Sequence, residues 1–191
     1  LASFQRILFR QTNLKSLVMI NLRLSNLFDD ASQACRFQLE SLNVVNCHFK
    51  SKENFELFIE RQLALSDVEI SINAMKLGLD RMRYFDGILE RLMCKKIVKT
   101  FALNIENYNF INFNFLPSTQ IENLNLYLRT TNFSVINFLK ISPNVKSLEL
   151  DVKELNDEEI KFINDYAPTT HLKISSLSSE NFSRLKLKSI N

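Results

Sequence analysis

The residues best suited to chemistry in this sequence are few, and the adjacent pair Cys47 and His48 stands out among them. A cysteine with a histidine as its base is a common nucleophilic arrangement. Neighbouring residues of a strand point to opposite faces, however, so these two side chains cannot meet. His171, the other histidine, has no acidic or thiol residue close to it in the sequence. We therefore expect Cys47 to be structural, His48 to lie at the surface and His171 to have no catalytic role.

Metal binding and acid–base catalysis have no better candidates. Cys35, Cys47 and Cys94 are too irregularly spaced for a metal clip or a disulfide framework, and reduced thiols suit an intracellular protein, cytoplasmic or nuclear. The carboxylates of residues 157–159 follow Asn156, a good N-cap, and are typical of a helix start. We expect no catalytic residue, no cofactor and no metal site, and therefore a protein that is not an enzyme.

Length and composition exclude further classes of protein. The chain has 191 residues, 46% of them hydrophobic and 24% charged, which suits a single globular domain over residues 1–191. Its net charge of +3 is too small to indicate nucleic acid, and its two glycines disfavour a glycine-rich phosphate loop. No apolar run reaches the roughly 18–20 residues of a membrane span. Its first residue is Leu rather than Met, which suggests an excerpt of a longer chain.

A repeated pattern of apolar residues organises the chain. Apolar residues recur at positions 1, 4, 6, 9 and 11 of a frame, in steps of 25, 26, 33, 23 and 24 residues. The frame starts at Leu14, Leu39, Leu65, Val98, Ile121 and Val145, and a weaker copy includes Leu172 and Ile174. Because positions 4 and 6 alternate with polar neighbours, each copy predicts a short strand with these two residues inward. One parallel sheet is expected from strands near residues 16–20, 41–45, 67–71, 100–104, 123–127 and 147–151.

This pattern is similar to the leucine-rich repeat, L-x-x-L-x-L-x-x-N/C-x-L. Cys47 and Asn73 match the N/C of that pattern at position 9, where a small polar side chain can bond to backbone groups of the turn. The resemblance implies an α/β fold, a leucine-rich-repeat solenoid or horseshoe of about seven repeats. Its parallel sheet would be concave and its helices convex.

The segments between the strands give the expected helices. Apolar spacing predicts helices over residues 52–62 and 78–93, and N-caps predict helices that begin at Asn132 and Asn156. Residues 109–116, which alternate Asn with Phe and Ile, are expected to be extended. Strand, helix and strand cannot fit between Leu172 and Leu185, so a final strand or a hairpin is expected there.

The open side of the sheet is the best candidate binding surface. In this architecture positions 3, 5, 7 and 8 of successive strands point outward on one continuous concave face. The candidate partner-binding residues there are Val18, Ile20, Asn43, Val45, Glu69, Asn104, Asn125, Tyr127, Glu149 and Asp151. Uncovered aliphatic residues and a central tyrosine are typical of protein interfaces. Alternatively, a segment that precedes Leu1 covers the aliphatic residues Val18, Ile20 and Val45.

A narrower resemblance indicates the function. Residues 138–150 (FLKISPNVKSLEL) contain a helix end, a turn through Pro143 and the next strand, and they resemble the repeats of F-box leucine-rich-repeat proteins. That resemblance implies the substrate-recognition part of a ubiquitin-ligase receptor, with a ligase adaptor bound through a segment that precedes Leu1. A non-catalytic adaptor or inhibitor scaffold is the alternative, and an RNA-binding repeat protein is the third.

Nucleic acid and membranes are not expected partners. The aromatic stretch 109–116 could stack on bases, but no basic residue occurs between Thr100 and Arg129. A local basic patch near the C-terminus could meet phosphate or an acidic protein, although a solvated end explains it more simply. The residues of this patch are Lys173, Arg184, Lys186 and Lys188.

Overall fold

A computed structural model defines the fold over residues 7–24, 36–49, 52–73, 88–89, 91–92, 95–106, 120–129, 136, 144–152, 154–165, 171–175 and 179–185. Short helical stretches occur at residues 7–10, 88–89, 91–92 and 136. The longer elements and the strands, in chain order, are β1 (Ser16–Ile20), β2 (Arg23–Leu24), β3 (Ser41–Val45), β4 (His48–Phe49), α1 (Lys52–Arg61), β5 (Asp67–Asn73), β6 (Thr100–Glu106), β7 (Asn123–Arg129), β8 (Ser147–Val152), α2 (Asp157–Asp165), β9 (His171–Ser175) and α3 (Ser179–Arg184).

Seven strands of the described chain form one open sheet whose spatial order follows the order of the sequence. The order is β1-β3-β5-β6-β7-β8-β9, and every neighbouring pair is parallel. Residues at the same frame position pair across neighbouring strands. Leu17, Leu42 and Val68, for example, lie side by side on β1, β3 and β5. The six predicted strands are confirmed, and β9 supplies the weaker seventh copy. The chain is thus an α/β protein with an open parallel sheet.

One side of the sheet is the core. Buried and more exposed residues alternate along β1, β3, β5, β6 and β8, as the apolar spacing predicts. Helix α1 contributes Phe55, Phe58 and Ile59 to the same core, and all three are almost completely buried. The Phe49 ring stacks on Phe55 with their centroids 3.9 Å apart. Because α1 and α2 both bury their apolar residues in this core, neither of them lies on the opposite side of the sheet.

Frame position 8 follows two different backbone paths. In the first two copies it is Asn21 and Asn46, whose φ angles of 53° and 48° lie in the left-handed region that asparagine tolerates. There β1 and β3 end, and the chain turns into β2 and β4, which pair with each other. In the later copies position 8 is aliphatic and buried, and the strands continue through it. The prediction that position 8 points outward is therefore wrong for Ile72, Ile105, Leu128 and Val152.

Helix α2 begins with the predicted N-cap. The backbone N–H of Glu159 donates to Asn156 Oδ1 (2.9 Å), and the backbone N–H of Asn156 donates to Glu159 Oε2 (3.0 Å). This reciprocal pair is a capping box, which satisfies two backbone donors at the start of the helix. Glu159 is buried in this arrangement, so its carboxylate has a structural role.

Replacement of Asn156 by alanine is expected to lower the free energy of unfolding by about 1 kcal/mol, because it removes the side-chain acceptor of the cap. Urea denaturation followed by circular dichroism measures this change. Asn156→Ser is the matched control, since serine keeps an acceptor and should cause little loss. Equal losses from both variants would mean that the cap does not stabilise the helix.

The C-terminal part of the described chain is a strand followed by a helix. β9 pairs with β8 in the common parallel register, which confirms the predicted final strand, and the alternative of a hairpin is wrong. The short helix α3 contacts α2, since Asn164 Nδ2 donates to the Arg184 carbonyl (3.2 Å). Leu185, directly after α3, is buried and closes this end of the core.

Several predictions lie partly or wholly outside the described residues. The extended segment 109–116 and the helix start at Asn132 lie outside, as do Cys35, Cys94, Lys186 and Lys188. Of the predicted helix 78–93, residues 88–89 and 91–92 are described, and they are helical. Their apolar members Ile88, Leu89 and Leu92 are buried, as predicted.

Candidate functional site

Rows of side chains run from strand to strand on the side of the sheet opposite the helices. This surface, the open face, consists of frame positions 3, 5 and 7. Position 5 contributes Val18, Asn43, Glu69, Ala102, Asn125, Glu149 and Lys173. Position 7 contributes Ile20, Val45, Ser71, Asn104, Tyr127 and Asp151. The structure therefore places every predicted partner-binding residue on one face, in two adjacent rows.

The first end of the open face is aliphatic. Val18 and Ile20 on β1 are 56% and 53% exposed, and Val45, the neighbour of Ile20 on β3, is half-buried. β1 is also the edge of the sheet within the described part of the chain. Three adjoining aliphatic side chains on two hydrogen-bonded strands form an apolar patch of the kind that interfaces use.

A set of polar contacts crosses the rest of the open face. Asn43 Nδ2 donates to Glu69 Oε2 (2.6 Å), and Lys173 Nζ forms an ion pair with Glu149 Oε1. Burial raises the pKa of the Tyr127 hydroxyl, and the Glu149 carboxylate raises it further through its charge and a hydrogen bond. The phenol, which is protonated at neutral pH in any case, can act as a hydrogen-bond donor. The hydrogen bond with Glu149, and then its charge, raise the pKa of Lys173 as well.

A second set of charges lies at the amino-terminal ends of the strands, at frame position 2. Lys15 Nζ lies 2.8 Å from Glu40 Oε1, and Lys146 Nζ lies 3.0 Å from Glu122 Oε2. The hydrogen bond from Lys146, and then its charge, hold the pKa of Glu122 below its usual value. These side chains are largely exposed, so the pairs contribute little to stability. They do join neighbouring copies of the frame along the edge of the open face.

Cys47 is a structural cysteine. Its thiol is buried and donates to the backbone carbonyls of Met19 (3.3 Å) and Val45 (3.4 Å). Burial raises the pKa of the thiol, and hydrogen bonds with the backbone of Leu22 and Val45 lower it by less. A thiol held in its neutral form is a poor nucleophile, so Cys47 is chemically inert here. The bond to Met19 instead ties the second copy of the frame to the first.

Cys47 is expected to react with iodoacetamide only when the chain unfolds, because its thiol is buried in the core. In a background in which Cys35 and Cys94 are replaced by serine, the labelling rate should rise with urea in step with the unfolded fraction. Mass spectrometry of quenched samples gives that rate. Rapid labelling without urea would contradict the buried position of the thiol.

The basic and acidic residues near the C-terminus are engaged within the chain. Arg184 Nη2 lies 2.6 Å from Asp157 Oδ1, and Lys173 is bound to Glu149, so both described members of the basic patch are already paired. This pairing favours a solvated end over a phosphate site. Among the described residues, no group of three or more histidine, cysteine or acidic side chains could hold a metal ion. The same residues include no helix with the length and hydropathy needed to cross a membrane.

No protein-family model, no curated protein and no solved structure matches the chain. The properties of the open face are therefore the basis for a functional assignment. They are an aliphatic patch at one edge, a protonated tyrosine among amides, and carboxylates on both sides of that tyrosine.

Proposed function

We propose that this chain is a leucine-rich-repeat domain that binds another protein on its open face. The pairing of equal frame positions across the described sheet supports the repeat. Bonds between successive copies support it as well. Cys47 donates to Met19 of the preceding copy, and Asn46 Oδ1 accepts the backbone N–H of Asn73 from the next copy (2.7 Å).

The observation that carries the binding function is the presence of Val18, Ile20 and Tyr127 on one hydrogen-bonded surface. Four strand spacings of about 4.8 Å separate β1 from β7, so the aliphatic patch and the tyrosine lie about 19 Å apart. A sheet of paired strands holds them at that distance without the entropy cost of ordering a loop. Aliphatic and tyrosine side chains on a rigid surface are effective anchors for a protein partner.

The specific form of this proposal is the substrate-recognition part of an F-box-type ubiquitin-ligase receptor. It rests on the sequence of residues 138–150, and it includes a ligase adaptor bound through a segment that precedes Leu1. A non-catalytic adaptor or inhibitor scaffold requires only the open face. RNA is the weaker candidate, because the carboxylates of Glu69, Glu149 and Asp151 on this face repel phosphates.

Photo-crosslinking tests the binding function. A benzophenone amino acid replaces Tyr127 on the open face in one variant, and in a control it replaces Leu57, which is 41% exposed on α1. In extract from cells that make the protein, the Tyr127 position should yield a discrete crosslinked protein and the Leu57 position should not. Crosslinks from Leu57 alone would indicate that the partner binds on the helical side. Adducts destroyed by ribonuclease would indicate that the partner is RNA.

A further inference from the structure

The charge of the open face differs in sign from that of the whole chain. At frame positions 3, 5 and 7 the described charged side chains are four carboxylates and one ammonium, a balance of −3, whereas the whole chain carries +3. These residues are Asp67, Glu69, Glu149, Asp151 and Lys173. These three rows of the open face are therefore acidic, although the chain as a whole is weakly basic. A surface with this charge favours a cationic partner and attracts it over a Debye length of about 8 Å at physiological salt.

Beside one of these carboxylates, the middle strand β6 carries only an alanine at position 5 of the open face. In the register of the sheet, Ala102 on β6 lies between Glu69 on β5 and Asn125 on β7. Its methyl group is the smallest side chain of the position 5 row, and from this difference in size we infer a shallow recess above it. In the adjacent row Asn104 and Tyr127 lie beside it. A carboxylate, two amides and an aromatic ring therefore surround an alanine.

Glu69 and Tyr127 both belong to the open face and lie on β5 and β7, the two strands that flank β6. Burial, and then Glu149, raise the pKa of the Tyr127 hydroxyl, and the charge of Glu69 adds to their effect. A guanidinium placed above Ala102 could bond to the Glu69 carboxylate and pack against the Tyr127 ring, which are the two contacts that arginine makes best.

The aliphatic patch lies at a fixed distance from the recess. Three strand spacings of about 4.8 Å separate β1 from β6, which places Val18 and Ile20 about 14 Å from Ala102. An extended chain advances roughly 3.3 Å per residue, so about four residues cover that distance. A segment that lies across the strands can therefore reach both features with two of its side chains.

We propose that the protein partner presents an extended segment with an aliphatic side chain on Val18 and Ile20 and, about four residues away, an arginine or lysine over Ala102 between Glu69 and Tyr127. This inference rests on the proposed binding function of the open face and adds the chemistry of the partner. Charge complementarity and the matched spacing select this occupant over an acidic protein or a nucleic acid. The direction in which the segment runs sets whether the cation precedes or follows the aliphatic residue.

Selection from a phage-displayed library of random dodecapeptides on the intact chain tests this inference. Peptides enriched on the wild type should carry an aliphatic residue and an arginine or lysine about four residues apart. Glu69→Lys should weaken binding of the enriched peptides by about tenfold or more, since it replaces the attractive carboxylate with a like charge. Asp165→Lys is the matched control. It makes the same charge change at an exposed position on α2, on the helical side, and should bind these peptides like the wild type.

Fluorescence anisotropy with one enriched peptide measures the affinities, and circular dichroism verifies that each variant is folded. Ala102→Leu gives a second readout without a charge change, because it fills the recess and should weaken binding of the cationic peptide. Enrichment of acidic or uncharged peptides, or equal losses from Glu69→Lys and Asp165→Lys, would overturn the inference. Failure to enrich any peptide would overturn it as well, while the crosslinking at Tyr127 tests the binding function separately.

Discussion

Replacement of Phe101 by alanine is expected to lower the free energy of unfolding by about 3–5 kcal/mol. Phe101 lies on β6, the middle strand of the described sheet, and its side chain is fully buried. Its neighbours in the register, Val68 and Leu124, are buried too, so the strands cannot close the cavity without breaking their pairing. Domains of this size are stable by only about 5–15 kcal/mol in total. This single change therefore removes a large share of the stability.

Urea denaturation of the wild type and of Phe101→Ala measures the loss directly. Asn104→Ala is a matched control, because Asn104 lies on the same strand but on the open face. Its substitution should change the stability by less than about 0.5 kcal/mol. A loss below about 1 kcal/mol from Phe101→Ala would mean that the predicted register of β6 is wrong.

The sheet could be predicted because its core positions repeat. Leu17, Leu42, Val68, Phe101, Leu124 and Leu148 all occupy frame position 4, and the structure places them side by side. A slip by one residue would move every apolar side chain of a strand to the open face, so the pattern specifies the register strongly. Residues far apart in the sequence therefore become neighbours, because each copy of the frame has the same apolar spacing.

The turns could not be predicted from the same signal. The repeated pattern predicts an outward position 8 in every copy, although Asn21 and Asn46 turn the chain there while Ile72 and Ile105 continue the strand and are buried. The difference lies in residue type, since asparagine tolerates the left-handed region and β-branched isoleucine does not. Asparagine at position 8, and not only at position 9, is therefore the signal that distinguishes the two turns.

The candidate site was predicted as a set of residues but not as an arrangement. Alternation along the strands places Tyr127, Glu149 and Asp151 on the open face, as the apolar spacing predicts. The ion pair of Lys173 with Glu149 depends on side-chain conformations across strands, which no spacing pattern specifies. The sequence likewise does not indicate the recess at Ala102, because an alanine has no reactive group and the recess depends on its neighbours Glu69 and Tyr127 in the folded sheet.

Replacement of Tyr127 by alanine is expected to weaken binding of the protein partner by about 2 kcal/mol or more, with the fold intact. The ring is partly exposed on β7, one strand from the middle of the sheet, and it loses little entropy when a partner covers it. Its hydroxyl is protonated at neutral pH, and burial and the Glu149 carboxylate raise its pKa further. Both the apolar contact and the hydrogen-bond donor are lost in the variant.

Glu69→Gln, by contrast, should mainly lower the association rate constant and make that rate constant less dependent on salt.

Calorimetric titration of the partner identified by crosslinking into the wild type, Tyr127→Ala and Glu158→Ala tests the binding function of the open face most directly. Glu158 is exposed on α2, on the helical side of the sheet, and its replacement removes no contact of the open face. A dissociation constant raised about thirtyfold by Tyr127→Ala and unchanged by Glu158→Ala is the predicted result. An unchanged dissociation constant for Tyr127→Ala, or an equal loss from Glu158→Ala, would contradict the assignment of binding to the open face.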